Sequence, residues 1–127
     1  MKTKKQFEEW IKKTIKYYAK YLDINLLEID IEYKEDIEFL QITCSYPYAE
    51  PVIGYSNKAF EHWQDGILRK DRILHELCHI ITDPLYTKAN RRYVSQDEIL
   101  DERERLTDKI CIIINNLICQ QIQKKYK

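Results

Sequence analysis

Between Leu22 and Leu27 the spacing of apolar residues changes from three or four to two, so one chain must accommodate both a helix and a strand. Before the switch, Phe7, Trp10, Ile11, Ile15, Tyr18 and Leu22 form a single stripe, predicting a helix over residues 3–22. Thr3-Lys4-Lys5-Gln6 fits a capping box at its start. After the switch, Leu27, Ile29, Ile31 and Tyr33 alternate with Glu28, Asp30 and Glu32, as in a half-buried strand with an acidic outer face. Lys34-Glu35-Asp36 reads as a turn, and residues 37–45 as a second strand completing a hairpin. Pro47 and Pro51 bracket a break. Residues 52–56 then form a short third strand, which the nearby prolines assign to a sheet edge. Asn57 to Trp63 reads as a turn or short helix whose aromatics pack.

Two helices follow. Ile67, Leu74, Leu77 and Ile81 predict one over residues 67–82, with Asp83-Pro84 as its stop. Ser95-Gln96-Asp97-Glu98 is a second capping box, opening a long helix to about residue 123. The middle of that helix, Cys111 to Cys119, is apolar over so wide an arc that it should lie centrally in the core or be shared with a second copy of the chain. The order of elements is that of a single α+β domain over residues 1–127, as monomer or homodimer.

Composition removes several classes of function. The 21 basic and 21 acidic residues cancel, so the chain has no footprint of a nucleic-acid or anionic-membrane binder. The lysines near each terminus read as solvated helix ends. Charges between Phe7 and Tyr18 occupy the place where an export signal would be apolar, and no run is long enough to span a bilayer. Cys44, Cys78, Cys111 and Cys119 lack the paired spacing of a zinc ribbon, so reduced thiols in a cytoplasmic protein are expected.

Two of the 3 histidines lie in His75-Glu76-Leu77-Cys78-His79. Four residues apart on a helix, His75 and His79 project from one face and can grip one ion. Glu76, rotated by about 100° from His75, can reach a water beside the ion without taking a coordination position. In that arrangement zinc lowers the pKa of water to about 7 and a glutamate removes the proton. A catalytic zinc needs a third protein ligand. The metzincin extension is excluded, because Thr82 and Leu85 stand where Gly and His are required. His62 precedes the helix beside Trp63 and reads as a surface or packed residue. A carboxylate of the last helix remains. With Glu104 at zero on a helical wheel, Asp108 falls at about 40°, Cys111 at about −20° and Leu100 at about −40°. The arc of Leu106, Ile110, Ile114, Leu117 and Ile118 ends beside this line, so Glu104 borders the buried face. Glu98 and Glu102 point away, and Asp101 is a weaker competitor. Arg103 falls within the apolar arc, either snorkelling or facing the cleft.

Glu104-Arg105-Leu106-Thr107-Asp108 resembles the Glu-x-x-Ser-Asp element that gluzincin metallopeptidases such as thermolysin carry on the helix after their His-Glu-x-x-His. The resemblance covers roughly residues 37–110 and extends to an edge strand ahead of the metal helix, which zincins use to pair with an extended substrate. The chain looks like one of the minimal single-domain zincins of phage and mobile-element genomes. This implies Zn²⁺ as cofactor, Glu104 as third ligand and Asp108 as the acceptor that fixes His75. It also implies Val52 to Tyr55 as the substrate strand. Two departures stand out. The family's Asn before the ligand Glu is Arg103 here, and no C-terminal domain supplies an oxyanion donor. Tyr86, Arg91, Arg92 and Tyr93 could fill that role, with Tyr93 preferred because family members carry a Tyr between the two motifs. Cys78 reads as a small buried helix residue, with a redox-sensitive thiol as the alternative.

The expected activity is hydrolysis of a peptide or protein substrate at zinc, with Glu76 as general base. The competing readings are a non-catalytic zincin fold whose metal staples helix to helix, and a helical interaction module in which the pentapeptide is accidental. Glu76 separates enzyme from staple, since a staple has no use for it.

Overall fold

The computed structural model describes residues 2–22, 29–43, 51–89 and 95–125. Four helices and a three-stranded mixed sheet make an α+β domain: α1 (Lys4–Leu22), β1 (Asp30–Tyr33), β2 (Leu40–Thr43), β3 (Val52–Tyr55), α2 (Asn57–Gln64), α3 (Asp71–Ala89) and α4 (Gln96–Lys125). No helix among the described residues is long and apolar enough to cross a membrane.

The predicted stripe of α1 is its buried face. Phe7 and Ile11 are fully enclosed, and Ile15 and Tyr18 nearly so. The capping box forms reciprocally: Gln6 N–H donates to Thr3 Oγ1 at 3.3 Å, and Thr3 N–H to Gln6 Oε1 at 2.9 Å. Phe7 anchors an aromatic cluster, edge-on to Tyr55 at 5.0 Å and stacked on Trp63 at 5.2 Å. The segment 57–64 is therefore a helix, and its Phe60 and Trp63 do pack on the core. Gly66, at φ 75°, ends α2. Its N–H donates to Trp63 O and the Ile67 N–H to His62 O, both at 3.0 Å, which is a Schellman closure turning the chain toward α3.

The sheet differs from the expected hairpin. Its order is β1-β3-β2, with β3 parallel to β1 and antiparallel to β2. The strand placed at an edge by its prolines is the central one. Pro51 precedes β3 rather than interrupting it, so no ladder donor is lost within the strand. Ile53, Gly54 and Tyr55 are all buried, whereas β1 carries exposed Asp30 and Glu32 and β2 exposed Gln41 and Thr43. A strand without exposed polar side chains loses least by taking partners on both sides, and the strands that carry them become the edges.

α3 also departs from expectation. It begins at Asp71 rather than residue 67, leaving Ile67 60% exposed, and it continues through Pro84 to Ala89. A proline inside a helix removes one hydrogen bond and crowds the preceding turn. Packing along α4, the most extensive helix contact in the molecule, offsets that loss. The middle of α4 is not central in the core. Ile118 is buried, with Ile110 and Ile114 half-buried beside it, but Ile112, Ile113 and Leu117 are 60%, 57% and 54% exposed. A single helix lying on one side of a small domain presents only one flank to it, so the rest of a wide apolar arc faces outward.

Candidate metal centre

His75 and His79 leave α3 one turn apart and meet Glu104 of α4. The His75 and His79 Nε2 atoms are 3.2 Å apart. His75 Nε2 is 3.3 Å from Glu104 Oε2, and His79 Nε2 is 3.3 Å from Glu104 Oε1. Ligand bonds of about 2.0–2.1 Å in a tetrahedral site imply ligand–ligand separations of about 3.3–3.4 Å. The two imidazole nitrogens are thus spaced much as two corners of such a site, Glu104 turns one oxygen toward each of them, and the three side chains could hold a metal ion.

The outer nitrogens explain the orientation. His75 Nδ1 lies 2.7 Å from Asp108 Oδ1, and His79 Nδ1 lies 3.3 Å from Asp83 Oδ1. An imidazole that donates its Nδ1–H to a carboxylate turns an Nε2 lone pair toward the ligand space. Two lone pairs and a carboxylate then converge, an arrangement that is repulsive until a cation or a proton stands among them. For His79, burial pulls the imidazole pKa down, but the bond to Asp83 and the charges of Glu76, Glu104 and Asp83 outweigh it and hold it above its ordinary value. Beneath the ring, Thr82 Oγ1 and Thr107 Oγ1 are 2.9 Å apart, and the Thr107 hydroxyl donates to Arg103 O at 2.7 Å. These threonines tie α3 to α4 within a turn of the ligands.

Glu76 is buried and makes no contact with the ligand trio short enough to be a bond. Its Oε2 instead accepts from Ile42 N–H of β2 at 3.1 Å. Burial pushes the Glu76 carboxyl up to about 7, with Glu104 adding to the rise and His79, the Ile42 amide and Arg72 opposing it. The alternation in β2 explains why that amide is free. Phe39 O accepts from Ser56 N–H on the β3 side at 2.9 Å, so by strand alternation Leu40 and Ile42 turn their backbone groups outward. The cavity of about 530 Å³ over the site is walled by residues 36–42, by Arg72, His75, Glu76, His79 and Asp83 of α3, and by Arg103 and Glu104 of α4. β2, not Val52 to Tyr55, is therefore the strand beside the ligands; β3 has both edges occupied.

The structure brings together His75, Glu76, His79, Glu104 and Asp108, all singled out in the sequence. Tyr93, with Arg91 and Arg92, lies outside the described residues. Tyr86 lines a neighbouring groove with Leu85, Ile99 and Leu106 rather than the metal cavity. His62 packs edge-on against Phe39 at 5.0 Å, away from the trio. Arg103 faces the cleft. Cys78 is fully buried, and its hydrogen bond with Cys111, together with burial, pushes its thiol pKa up, as for an inert core residue. Sequence reading missed Asp83, treated only as a helix stop; its position four residues after His79 places it on the same face and was the available signal. Compared with family models, with curated proteins and with solved structures, the chain matches none.

Proposed function

We propose that this chain is a zincin-like, zinc-dependent peptidase in which His75, His79 and Glu104 hold Zn²⁺ and Glu76 is the general base. The observation that carries the reading is the coexistence of a convergent His75–His79–Glu104 trio with a buried carboxylate one residue from His75 and outside the trio. A structural zinc site needs four closed ligands; among the described residues this one offers three, opening on a cavity. The histidine and carboxylate donor set suits zinc, which when bound supplies a Lewis acid for a peptide carbonyl and lowers the pKa of water to about 7.

The protein residues then act in sequence. Glu76 takes a proton from water as the water oxygen forms its bond to the carbonyl carbon. It returns that proton to the amide nitrogen as the C–N bond breaks, giving one carboxylic acid and one amine. Asp108 and Asp83 hold the imidazoles in the ligating tautomer throughout. An extended peptide laid along the outer edge of β2 can use the outward-facing Leu40 backbone groups for alignment. Ile42 N–H also steadies Glu76, so the carboxylate enters the reaction already oriented.

The bond from Ile42 N–H to Glu76 supports one other reading, in which Glu76 is a strut between α3 and β2 in a non-catalytic zinc fold. Glu76→Gln decides between them. Its amide oxygen still accepts from Ile42, but it cannot take a proton from water. Wild type and variant, both zinc-loaded, are presented with a peptide library. Hydrolysis that a chelator abolishes and that falls by about 10² to 10⁴ in the variant supports the peptidase. A zinc-loaded wild type inert across the library, with Glu76→Ala, which removes the bond to Ile42, lowering stability where Glu76→Gln does not, would favour the strut.

A further inference from the structure

The metal cavity is lined by two cationic side chains, Arg72 and Arg103. Arg72 is exposed and lies over the Phe39 ring. Arg103 is held differently. Only 22% of its side chain is exposed, and its guanidinium carbon lies 4.1 Å from the centroid of the Tyr86 ring. Nη2 is 3.6 Å from Glu104 Oε1 and Nη1 is 3.8 Å from Asp83 Oδ1. Both separations attract charge to charge but exceed hydrogen-bond length. Nε is buried and has no partner, and among the described residues the guanidinium donates no hydrogen bond at all. A half-buried arginine ordinarily spends its five donors. Here a ring face and two carboxylates fix the cation beside a candidate ligand carboxylate, while its N–H groups have no acceptor among the described residues.

We propose that Arg103 is a catalytic residue of this site, its guanidinium donating to the carbonyl oxygen of the peptide bond that is cut. The proposal rests on the peptidase reading above. As the water oxygen bonds to the carbonyl carbon, the carbonyl π pair moves onto its oxygen, and the charge that develops there is what free N–H donors at fixed positions stabilise. Arg103 gives up no proton. When the carbonyl re-forms and the C–N bond breaks, the amine departs with the proton carried by Glu76, and the guanidinium is unchanged. Base and cation enter the cavity from different walls: Glu76 is tied to β2, and Arg103 comes from α4 on the Asp83 side. A substrate carbonyl between them would meet the water that Glu76 deprotonates at carbon and the cation at oxygen. Lysine would not reproduce this, because it lacks the planar fork that stacks on Tyr86.

The test compares zinc-loaded wild type, Arg103→Ala, Arg103→Lys and Glu76→Gln by zinc content, steady-state kinetics and calorimetric binding of a phosphinic peptide, whose tetrahedral anion imitates the charged oxygen. Arg103→Ala should keep one zinc and lose about 10² to 10³ in kcat. Its phosphinic affinity should fall in step with kcat/KM, and added guanidinium ion should restore part of the rate in Arg103→Ala but none in Glu76→Gln. A variant that keeps zinc and full kcat overturns the proposal. So does one that loses its zinc, or one that loses rate without losing phosphinic affinity. If wild type and Glu76→Gln are equally inert, the peptidase reading fails and the catalytic role with it. A phosphinic affinity that still falls in Arg103→Ala would then leave Arg103 as an anion-binding group only, so the two failures are distinguishable.

Discussion

Ile42 N–H of the edge strand donates to Glu76 Oε2 of the metal helix at 3.1 Å, across 34 residues of sequence. This bond ties sheet to helix, and it holds a buried carboxylate that is not among the three candidate ligands.

Burial of that carboxylate has a pH signature in the metal-free protein. Its pKa stands at about 7 in the fold, above the ordinary carboxyl value, so between those values the folded chain holds a proton that the unfolded chain has released. Stability from this group is complete below the unfolded pKa and is lost as pH rises through about 7. His79, also raised, contributes with the same sign. Thermal unfolding of chelator-treated protein between pH 5 and 8 should show a falling midpoint, and Glu76→Gln should flatten the slope. A slope identical in the variant would show that Glu76 is not the group responsible.

Zinc content follows from the ligand count. Purified protein should carry about one zinc per chain, and His75→Ala or His79→Ala should strip it, since two remaining ligands rarely retain the ion. Elemental analysis after zinc reconstitution measures this directly. Metal-free wild type under those conditions would end the zinc reading.

The carboxylates behind the imidazoles should behave differently from the one in front. Glu104→Gln removes a ligand and should abolish most zinc affinity. Asp108→Asn disturbs the Nδ1 contact of His75, and Asp83→Asn that of His79 together with the attraction to Arg103; each should weaken binding by about 10- to 100-fold. Competition with a chromophoric chelator ranks the three. Normal affinity in Glu104→Gln would mean that the third ligand lies elsewhere.

The threonine pair supplies a stability test separate from the metal. Thr107 is fully enclosed, and Thr82 is nearly so. Thr107→Val should cost about 1–3 kcal/mol, because it leaves the Thr82 hydroxyl buried without its partner. The double variant Thr82→Val/Thr107→Val should recover part of that loss, which denaturant unfolding of the metal-free proteins would register as a positive coupling. Strict additivity would show that the two hydroxyls are independent.

The sequence by itself determined whatever depends on spacing within one element. The α1 stripe, the Thr3–Gln6 cap, the shared face of His75 and His79, and the phase that puts Glu104 and Asp108 toward α3 all follow from helical geometry, which is local and periodic. Tertiary structure decided whatever depends on which element lies beside which. The apolar run Val52 to Tyr55 can be a strand, but whether it is an edge or a centre depends on the competition of three strands for burial, and the one without exposed polar side chains took the middle. Pro84 signals a stop by its local chemistry, yet packing against α4 carries α3 past it. The apolar arc of α4 shows how many residues could be buried; the size of the domain beneath it fixes how many are. Arg103 had two orientations open to it in sequence. The choice was made by Asp83 and by Tyr86, the second of which only the extension of α3 beyond Pro84 brings within reach.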